Sequence, residues 1–384
     1  MWSSGAYGYL SDYLCWFLAL ASLLVHTWCF FRLFPGHRPR LRLILGNLLI
    51  LACMITFVGL VGETYIRFLV VETDAYGASL VAKRWHRIYP KLNSLYCWDH
   101  EWTEQKPPGV YRIAFVGDSF TFGWGINDRA DRFTDLIQAR FDRERDRQGA
   151  DLIPSRARQE ADRGEGLRIN NRQSEIGDSH VEVMNVAWAA WDTPDERRAI
   201  RDMIEYYDID EVVLCYLPND VESLLPVVDG FDPKDPPGTW LVNLESSFLL
   251  DYLFHRVYAP RVYTGRRYGD WIWQGYHDPK LWARQRDALQ SVVDLCNRRR
   301  VTLRAVLLPA IRNWGGEYDA AQVHQMLTDY FTAQAVPVAD LRPAIAGLDP
   351  MDLVVNRFDP HPNESTHRLF AEAIWTAFYA HAAP

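Results

Sequence analysis

Two long stretches without a formally charged side chain constrain this chain more than any other feature. Residues 13–31 are built mainly of Leu, Ala, Phe, Trp and Val, and residues 43–62 repeat the pattern with only Asn47 and Thr56 as notably polar members. At a helical rise of 1.5 Å per residue, each is long enough to cross a hydrocarbon layer of ~30 Å. A buried helix of a large globular protein interleaves charge along one face, and neither stretch does. The expected N-terminal unit is therefore a two-helix transmembrane hairpin over residues 1–62, with spans at about 13–31 and 43–62.

Between the two stretches lies Pro35-Gly36-His37-Arg38-Pro39-Arg40-Leu41-Arg42, with Arg32 just before it. The residues ahead of the first stretch hold no Lys or Arg and one acid, Asp12. The positive-inside rule places the arginine linker in the cytoplasm. Everything after Gly62 is then expected on the other side, giving a two-pass cell-membrane protein whose main domain is periplasmic or extracellular. Lys83, Arg84 and Arg87 oppose this asymmetry slightly, although long domains translocate largely regardless of charge. The first stretch has no basic n-region and no clear small-x-small cleavage site, so it reads as a retained anchor. Trp16 and Trp28 sit near its ends, as interface anchors do. For His26, inside it, an intramembrane function and packing against the second span are both open.

Averaged over 384 residues, 48% hydrophobic and 23% charged describe an ordinary globular protein and exclude wholesale disorder. The net charge of -8 argues against general nucleic-acid binding. Cys15, Cys29 and Cys53 fall in the apolar stretches, and Cys97, Cys215 and Cys296 beyond them. No spacing suggests a metal site. At most one disulfide is expected, with Cys215 a packed thiol in an apolar run.

Residues 63–108 read as a connector closed by Lys106-Pro107-Pro108-Gly109. Residues 109–384 then alternate between strand and helix. Strands are expected at 111–116, 181–186, 211–217, 302–308 and 336–339, and helices at 133–143, 195–207, 282–298 and 366–380. Buried apolar strands separated by helices imply a mainly parallel sheet covered on both faces. Residues 148–179, rich in Arg, Glu, Asp, Gly and Gln, read as a mobile, solvated polar insertion.

In such sheets chemistry gathers where strands end at their carboxyl side. The first strand ends in Gly117-Asp118-Ser119-Phe120-Thr121-Phe122-Gly123. A serine on a tight strand-to-helix turn exposes its hydroxyl near a helix N-terminus, where anions are favoured. A second Gly177-Asp178-Ser179 precedes a strand instead of following one and is set aside. Asn185-Val186-Ala187-Trp188-Ala189-Ala190-Trp191-Asp192-Thr193 spans the end of the second strand, Pro218-Asn219-Asp220 follows the third, and Asp359-Pro360-His361-Pro362-Asn363 lies near the C-terminus.

In kind and order these four blocks resemble those of the SGNH (GDSL-type) hydrolase superfamily, over roughly residues 110–380. The resemblance implies an α/β fold, an SGNH-hydrolase-like three-layer sandwich with a mainly parallel sheet, here behind the two-helix hairpin. It implies Ser119 as nucleophile, His361 as general base and acid, and Asp359 as the group that orients the imidazole. The oxyanion would be held by the backbone N–H of Ser119, the backbone N–H of Ala187 and the side-chain amide of Asn219. Loss of one such donor usually costs about 10²–10³ in kcat. Two departures matter. Alanine stands at 187 where the family has glycine, and the terminal pair is Asp-x-His where Asp-x-x-His is common. No cofactor or metal is implied.

Other residues carry structural readings. Arg112 is expected to be structural, Asp118 to hold its turn, His367 to pack on the last helix, and Asn363 to cap that helix or brace the His361 loop. Trp188, Trp191, Trp240, Trp271 and Trp273 read as core sooner than as a sugar-stacking site. Two activities follow from the resemblance. The first is a serine esterase on O-acyl esters of an envelope glycan, polymer or lipid. The alternative is an O-acyltransferase acting beside a membrane-bound O-acyltransferase partner. A scaffold with a degenerate hydrolase domain is the non-enzymatic third. The expected partners are the lipid bilayer and the acylated substrate, with no nucleic acid.

Overall fold

The computed structural model describes residues 7–33, 39–75, 77–159, 180–226, 246–258, 266–312 and 317–380, with backbone alone at 148–159, 266 and 267. Its elements are α1 (Leu10–Leu33), α2 (Pro39–Leu69), α3 (Leu80–Ile88), β1 (Val110–Gly117), α4 (Ser119–Phe122), α5 (Phe133–Gln159), β2 (His180–Ala187), α6 (Thr193–Tyr206), β3 (Glu211–Tyr216), α7 (Phe248–Leu253), α8 (Arg266–His277), α9 (Pro279–Arg299), β4 (Thr302–Leu307), α10 (Ala320–Ala333), β5 (Val338–Asp340), α11 (Arg342–Ile345), α12 (Pro350–Leu353), β6 (Val354–Asn356), β7 (Asp359–Pro362) and α13 (Glu364–Phe378). The chain divides into two compact units, Met1–Tyr89 with Asp232–Thr264, and Pro90–Phe231 with Gly265–Pro384.

In the first unit α1 and α2 pair antiparallel. Tyr13 Oη lies 2.7 Å from Thr64 Oγ1, and Thr27 Oγ1 lies 3.4 Å from Cys53 Sγ. Gly59 lets them close: a Cβ there would stand 2.7 Å from the Trp16 ring. Both helices are long and apolar enough to cross a membrane, and no residue of α1 is buried. α2 continues past residue 62 to Leu69. His26 hydrogen-bonds the Ser22 carbonyl of its own helix at 2.7 Å and is exposed, so the contact it makes is local.

The second unit is a three-layer α/β sandwich around a five-stranded, fully parallel sheet in the order β2-β1-β3-β4-β5. Alternation along β1 sends Ala114 and Val116 to one face and Ile113 and Phe115 to the other. The first face packs on Ile200 and Met203 of α6, Leu289 and Val292 of α9, and Leu327 and Phe331 of α10. The second packs on Phe133 and Ile137 of α5 and on Phe370 and Ile374 of α13. Each fully buried side chain of this size contributes about 1.5–3 kcal/mol. Burial on both faces explains why these strands read as unbroken apolar runs. The expected three-layer sandwich with a mainly parallel sheet is thus the one observed.

The expected polar insertion differs in its first part. α5 runs on to Gln159, because Arg, Gln and Ala are good helix formers despite the polar composition. Residues 160–179, including the second Gly-Asp-Ser, lie outside the described residues, as does Trp240. All six cysteines are free, and Cys97, Cys215 and Cys296 are buried.

Candidate active site

The site is built on a turn that only glycine permits. A Cβ on Gly117, the last residue of β1, would stand 2.3 Å from Thr121 Oγ1 and 2.8 Å from the Cys215 carbonyl of β3. The chain therefore enters α4 directly. Asp118 is its N-cap and accepts the Phe120 N–H at 2.9 Å through Oδ1. The turn closes at Gly123, whose φ of 82° is left-handed and whose N–H donates to the Ser119 carbonyl at 3.1 Å. Ser119 is held at the first helical position, at the carboxyl edge of the sheet.

β7 supplies the partners. The Ser119 hydroxyl donates to His361 Nε2 at 2.8 Å, and His361 Nδ1–H donates to Asp359 Oδ1 at 2.5 Å. This is the tautomer both neighbours require. The His361 backbone N–H also donates to Asp359 Oδ1, at 3.1 Å. Asp359 is fully buried and His361 is 6% exposed, and the Phe120 and Trp124 rings lie 5.3 and 6.3 Å from the imidazole. The shortened Asp-x-His spacing is accommodated because β7 is extended, and residues two apart on a strand share a face. A hydroxyl hydrogen-bonded to an imidazole, itself held by a carboxylate, is the arrangement that generates a serine nucleophile.

The expected oxyanion donors fare differently. The Ser119 N–H lies in the turn. Asn219 sits half-buried in the loop after β3, and its Oδ1 has no hydrogen-bond partner among the described residues. Ala187 is turned away. The Trp188 N–H donates inward to the Gly117 carbonyl at 3.3 Å. Successive amides of a strand point to opposite edges, so the Ala187 N–H points outward, where it meets the Cys97 sulfur. Asn185 behaves in the same way, donating outward to Asp99 Oδ2 at 2.9 Å. The geometry therefore does not deliver the Ala187 N–H to Ser119. The tight turn that follows instead holds Ala190 at φ 63°, a left-handed conformation that strains a residue with a Cβ. No sequence signal marked it, since glycine is the residue that usually does.

Behind the serine lie three fully buried carboxyls: Asp118 after β1, Asp220 after β3, and Glu196 in the first turn of α6. Asp220 Oδ2 accepts the Leu217 N–H at 2.8 Å, which shapes the turn presenting Asn219. Glu196 Oε1 and Oε2 and Asp220 Oδ1 have no hydrogen-bond partner among the described residues. Burial pushes Asp118 up to about 6, against the pull of the Phe120 N–H and His361. Burial, reinforced by the charges of Asp118 and Asp192, drives Glu196 well above the usual carboxylate range. Burial, with the charges of Glu196 and Asp118, does the same to Asp220. Sequence reasoning missed Glu196. It also missed Asn185, whose side-chain amide ties the Thr121 carbonyl at 2.7 Å to Thr134 Oγ1 at 3.0 Å and so steadies the serine turn.

The remaining residues take structural places. Buried Arg112 donates to Glu182 at 2.7 Å and to the Tyr207 carbonyl at 2.6 Å. His367 accepts the Phe133 N–H at 3.2 Å and stacks on that ring, and burial holds it down to about 3. Asn363 both caps α13, accepting the Thr366 N–H at 3.1 Å, and braces the preceding loop by donating to the Asp352 carbonyl at 2.8 Å. A cavity of about 250 Å³ opens beside β2 near His100, Arg129, Asp135 and Glu182. Neither Ser119 nor His361 lines it.

No known protein-family profile matches the chain, and no curated protein matches it. Among solved structures it is similar to TesA, at 12% identity and a TM-score of 0.40, over 70% of this chain and 98% of that one. It is similar to the psychrotrophic esterase EstA from Pseudoalteromonas sp., at 12% identity and a TM-score of 0.39, over 69% and 95%. It is also similar to a member of the lipolytic protein G-D-S-L family from Veillonella parvula, at 14% identity and a TM-score of 0.38, over 71% and 99%.

Proposed function

We propose that this chain is a membrane-anchored serine esterase of SGNH type that cleaves O-acyl esters through an acyl-enzyme on Ser119. The observation that carries this reading is the hydrogen-bonded relay from Ser119 through His361 to Asp359. Ser119 Oγ attacks the ester carbonyl while His361 Nε2 takes its proton, and Asp359 stabilises the imidazolium. The tetrahedral oxyanion receives the Ser119 N–H and the Asn219 amide, with Ala190 in place of Ala187 as the backbone donor from the β2 side. The intermediate collapses, His361 returns the proton to the leaving alcohol, and water repeats the sequence to release the acid.

The anchor reading is supported by the exposed apolar faces of α1 and α2 and by the arginines between them, which favour a cytoplasmic linker and an extracytoplasmic active site. An acylated glycan, polymer or lipid of the cell envelope is the substrate class that suits this placement. Transfer to a sugar hydroxyl beside a membrane-bound O-acyltransferase uses the same residues, with the sugar in place of water. The test is a fluorophosphonate probe together with a chromogenic acetyl ester. Wild-type protein is expected to label and to turn over, and Ser119→Ala to do neither. Turnover surviving in Ser119→Ala refutes the nucleophile, and an unlabelled, inactive wild type refutes the activity.

A further inference from the structure

Within the first unit, α7 and the π-helical turn that continues it, Phe254–Tyr258, are amphipathic in the reverse sense to a soluble helix. Their polar side chains face the protein. Asp251 Oδ2 accepts the Leu80 N–H at 2.7 Å, and Arg256 donates to the Thr73 carbonyl and pairs with Glu72, both at 3.1 Å. Phe248 and Leu249 also pack inward, while four other apolar side chains face outward: Leu250 is 40% exposed, Leu253 46%, Val257 46% and Tyr258 42%. Positions 250, 253, 257 and 258 form one stripe at helical spacing. Open apolar stripes of this kind mark a surface that something covers.

The height of this stripe along α2 identifies the cover. α7 is pinned where the charge-free stretch 43–62 ends. Leu249 packs on Gly62, and Glu63 accepts the Phe248 and Leu249 N–H groups at 3.1 and 2.8 Å and the Ser247 hydroxyl at 2.8 Å. Counted at 1.5 Å per residue from Leu43, Gly62 lies about 30 Å up the helix, one hydrocarbon thickness. Exposed Tyr7, Tyr9 and Tyr65 ring the same level; Arg67 holds the first two by donating to their carbonyls at 2.9 and 3.2 Å. Tyrosines gather at this depth in membrane proteins. On α2, Val58, Val61 and Leu69 are exposed apolar side chains as well.

We propose that α7 and its continuation form a third membrane contact, an interfacial element whose apolar stripe lies in the boundary between headgroups and acyl chains. This rests on the anchor reading of α1 and α2. The partner is the lipid surface itself, and the polar side of the element is turned to the protein through Asp251 and Arg256.

The test uses the full chain in liposomes, with an environment-sensitive fluorophore on one introduced cysteine at a time and the signal of unsubstituted protein subtracted. Leu253→Cys is expected to emit blue-shifted. It should be quenched several-fold more by a lipid spin-labelled near its headgroup than by aqueous iodide, and Val257→Cys should repeat the pattern. Val58→Cys is expected to respond best to a label near the chain ends, and Arg201→Cys on α6 to iodide alone. Retained ester hydrolysis shows that each variant folds. Leu253→Cys as open to iodide as Arg201→Cys overturns the proposal, and so does shielding from both quenchers, which means that protein covers the stripe. If Val58→Cys is not quenched from the lipid, the anchor reading itself falls.

Discussion

Replacing Glu196 by glutamine is expected to make the protein more stable at neutral pH and to flatten the dependence of its stability on pH. Glu196 is completely buried, faces the carboxyls of Asp118, Asp192 and Asp220, and finds no donor for either oxygen among the described residues. Tyr216 and Cys215 of β3, also buried, feel its charge and are themselves raised chiefly by burial. Glu222 and His361 act on the group through Asp118. An ionised carboxylate in that setting is costly, so the folded protein holds a proton on Glu196 that the unfolded chain releases near the ordinary value of 4.5. A carboxyl raised in this way contributes its full stability below its ordinary value. The contribution is lost as pH climbs towards the raised value, at about 1.4 kcal/mol per pH unit for one proton. Asp220 adds a second proton to this slope, and Asp118 a third that ends near pH 6. Glutamine keeps the shape and a donor but cannot ionise, so it removes one proton from the slope. Above the ordinary value of Glu196 the variant should gain on wild type by up to about 1.4 kcal/mol per pH unit, or roughly 3–6 °C in the midpoint per pH unit for a domain of this size. The assay is the thermal midpoint of the detergent-solubilised chain from pH 5 to 8, read as the difference between variant and wild type so that detergent effects cancel. Parallel curves, or a variant that falls more steeply, refute the buried proton.

Three other perturbations separate the parts of the site. Asp359→Ala should keep the fluorophosphonate label slow and lower ester turnover by roughly 10⁴, because the imidazole loses its tautomer and its counter-charge; turnover within tenfold of wild type shows that another group orients His361. Gly117→Ala should abolish activity, since the new Cβ meets the Cys215 backbone and Thr121 and something must shift; an active, equally stable variant removes the argument for the close approach. Ala190→Gly should stabilise the protein by roughly 1 kcal/mol by relieving the left-handed strain, with turnover of the acetyl ester retained; a less stable variant means that the Ala190 methyl makes a contact outweighing the strain.

What the sequence disclosed about this chain depended on whether a property is local. Strands buried on both faces and helices with one apolar face carry their environment in their own spacing. The turn at Gly117, Asp118 and Ser119 carries its geometry in its residue types. Direction across a sheet is not local. Ala187 stands where a donor was expected, yet its N–H points outward because of the parity of its position in the pairing with β1, which begins at Val110 and His180. Ala190 adopts the conformation that glycine would have announced. Glu196 reads as an ordinary acid of a helix first turn, favourable to the dipole; only the assembled fold buries it. The segment Asp232–Thr264 joins the first unit through Glu63 and Arg67, two charged residues just past an apolar run that carry no sign of a distant partner.

The shortened terminal spacing has a similar explanation, and it bears on how firmly the relay is held. On a helix, residues two apart point to different sides, so Asp-x-His there would separate the pair. In β7 the backbone is extended and paired with β6, Asn356 opposite Asp359 and Val354 opposite Pro362, so both side chains project together. Pro360 and Pro362 flank His361 and fix their own φ without offering an N–H. The remaining donor between them, the His361 N–H, turns onto Asp359 Oδ1. One carboxylate oxygen thus accepts both the backbone and the ring of the same histidine. The orientation of the imidazole is set within three consecutive residues before Ser119 is met. Asn363 then anchors that segment at its far end, capping α13 while it donates to the carbonyls of Asp352 and Val354. His361 is therefore positioned by β7 and its cap and Ser119 by the glycine turn of β1, and the two meet through the hydrogen bond between His361 Nε2 and Ser119 Oγ.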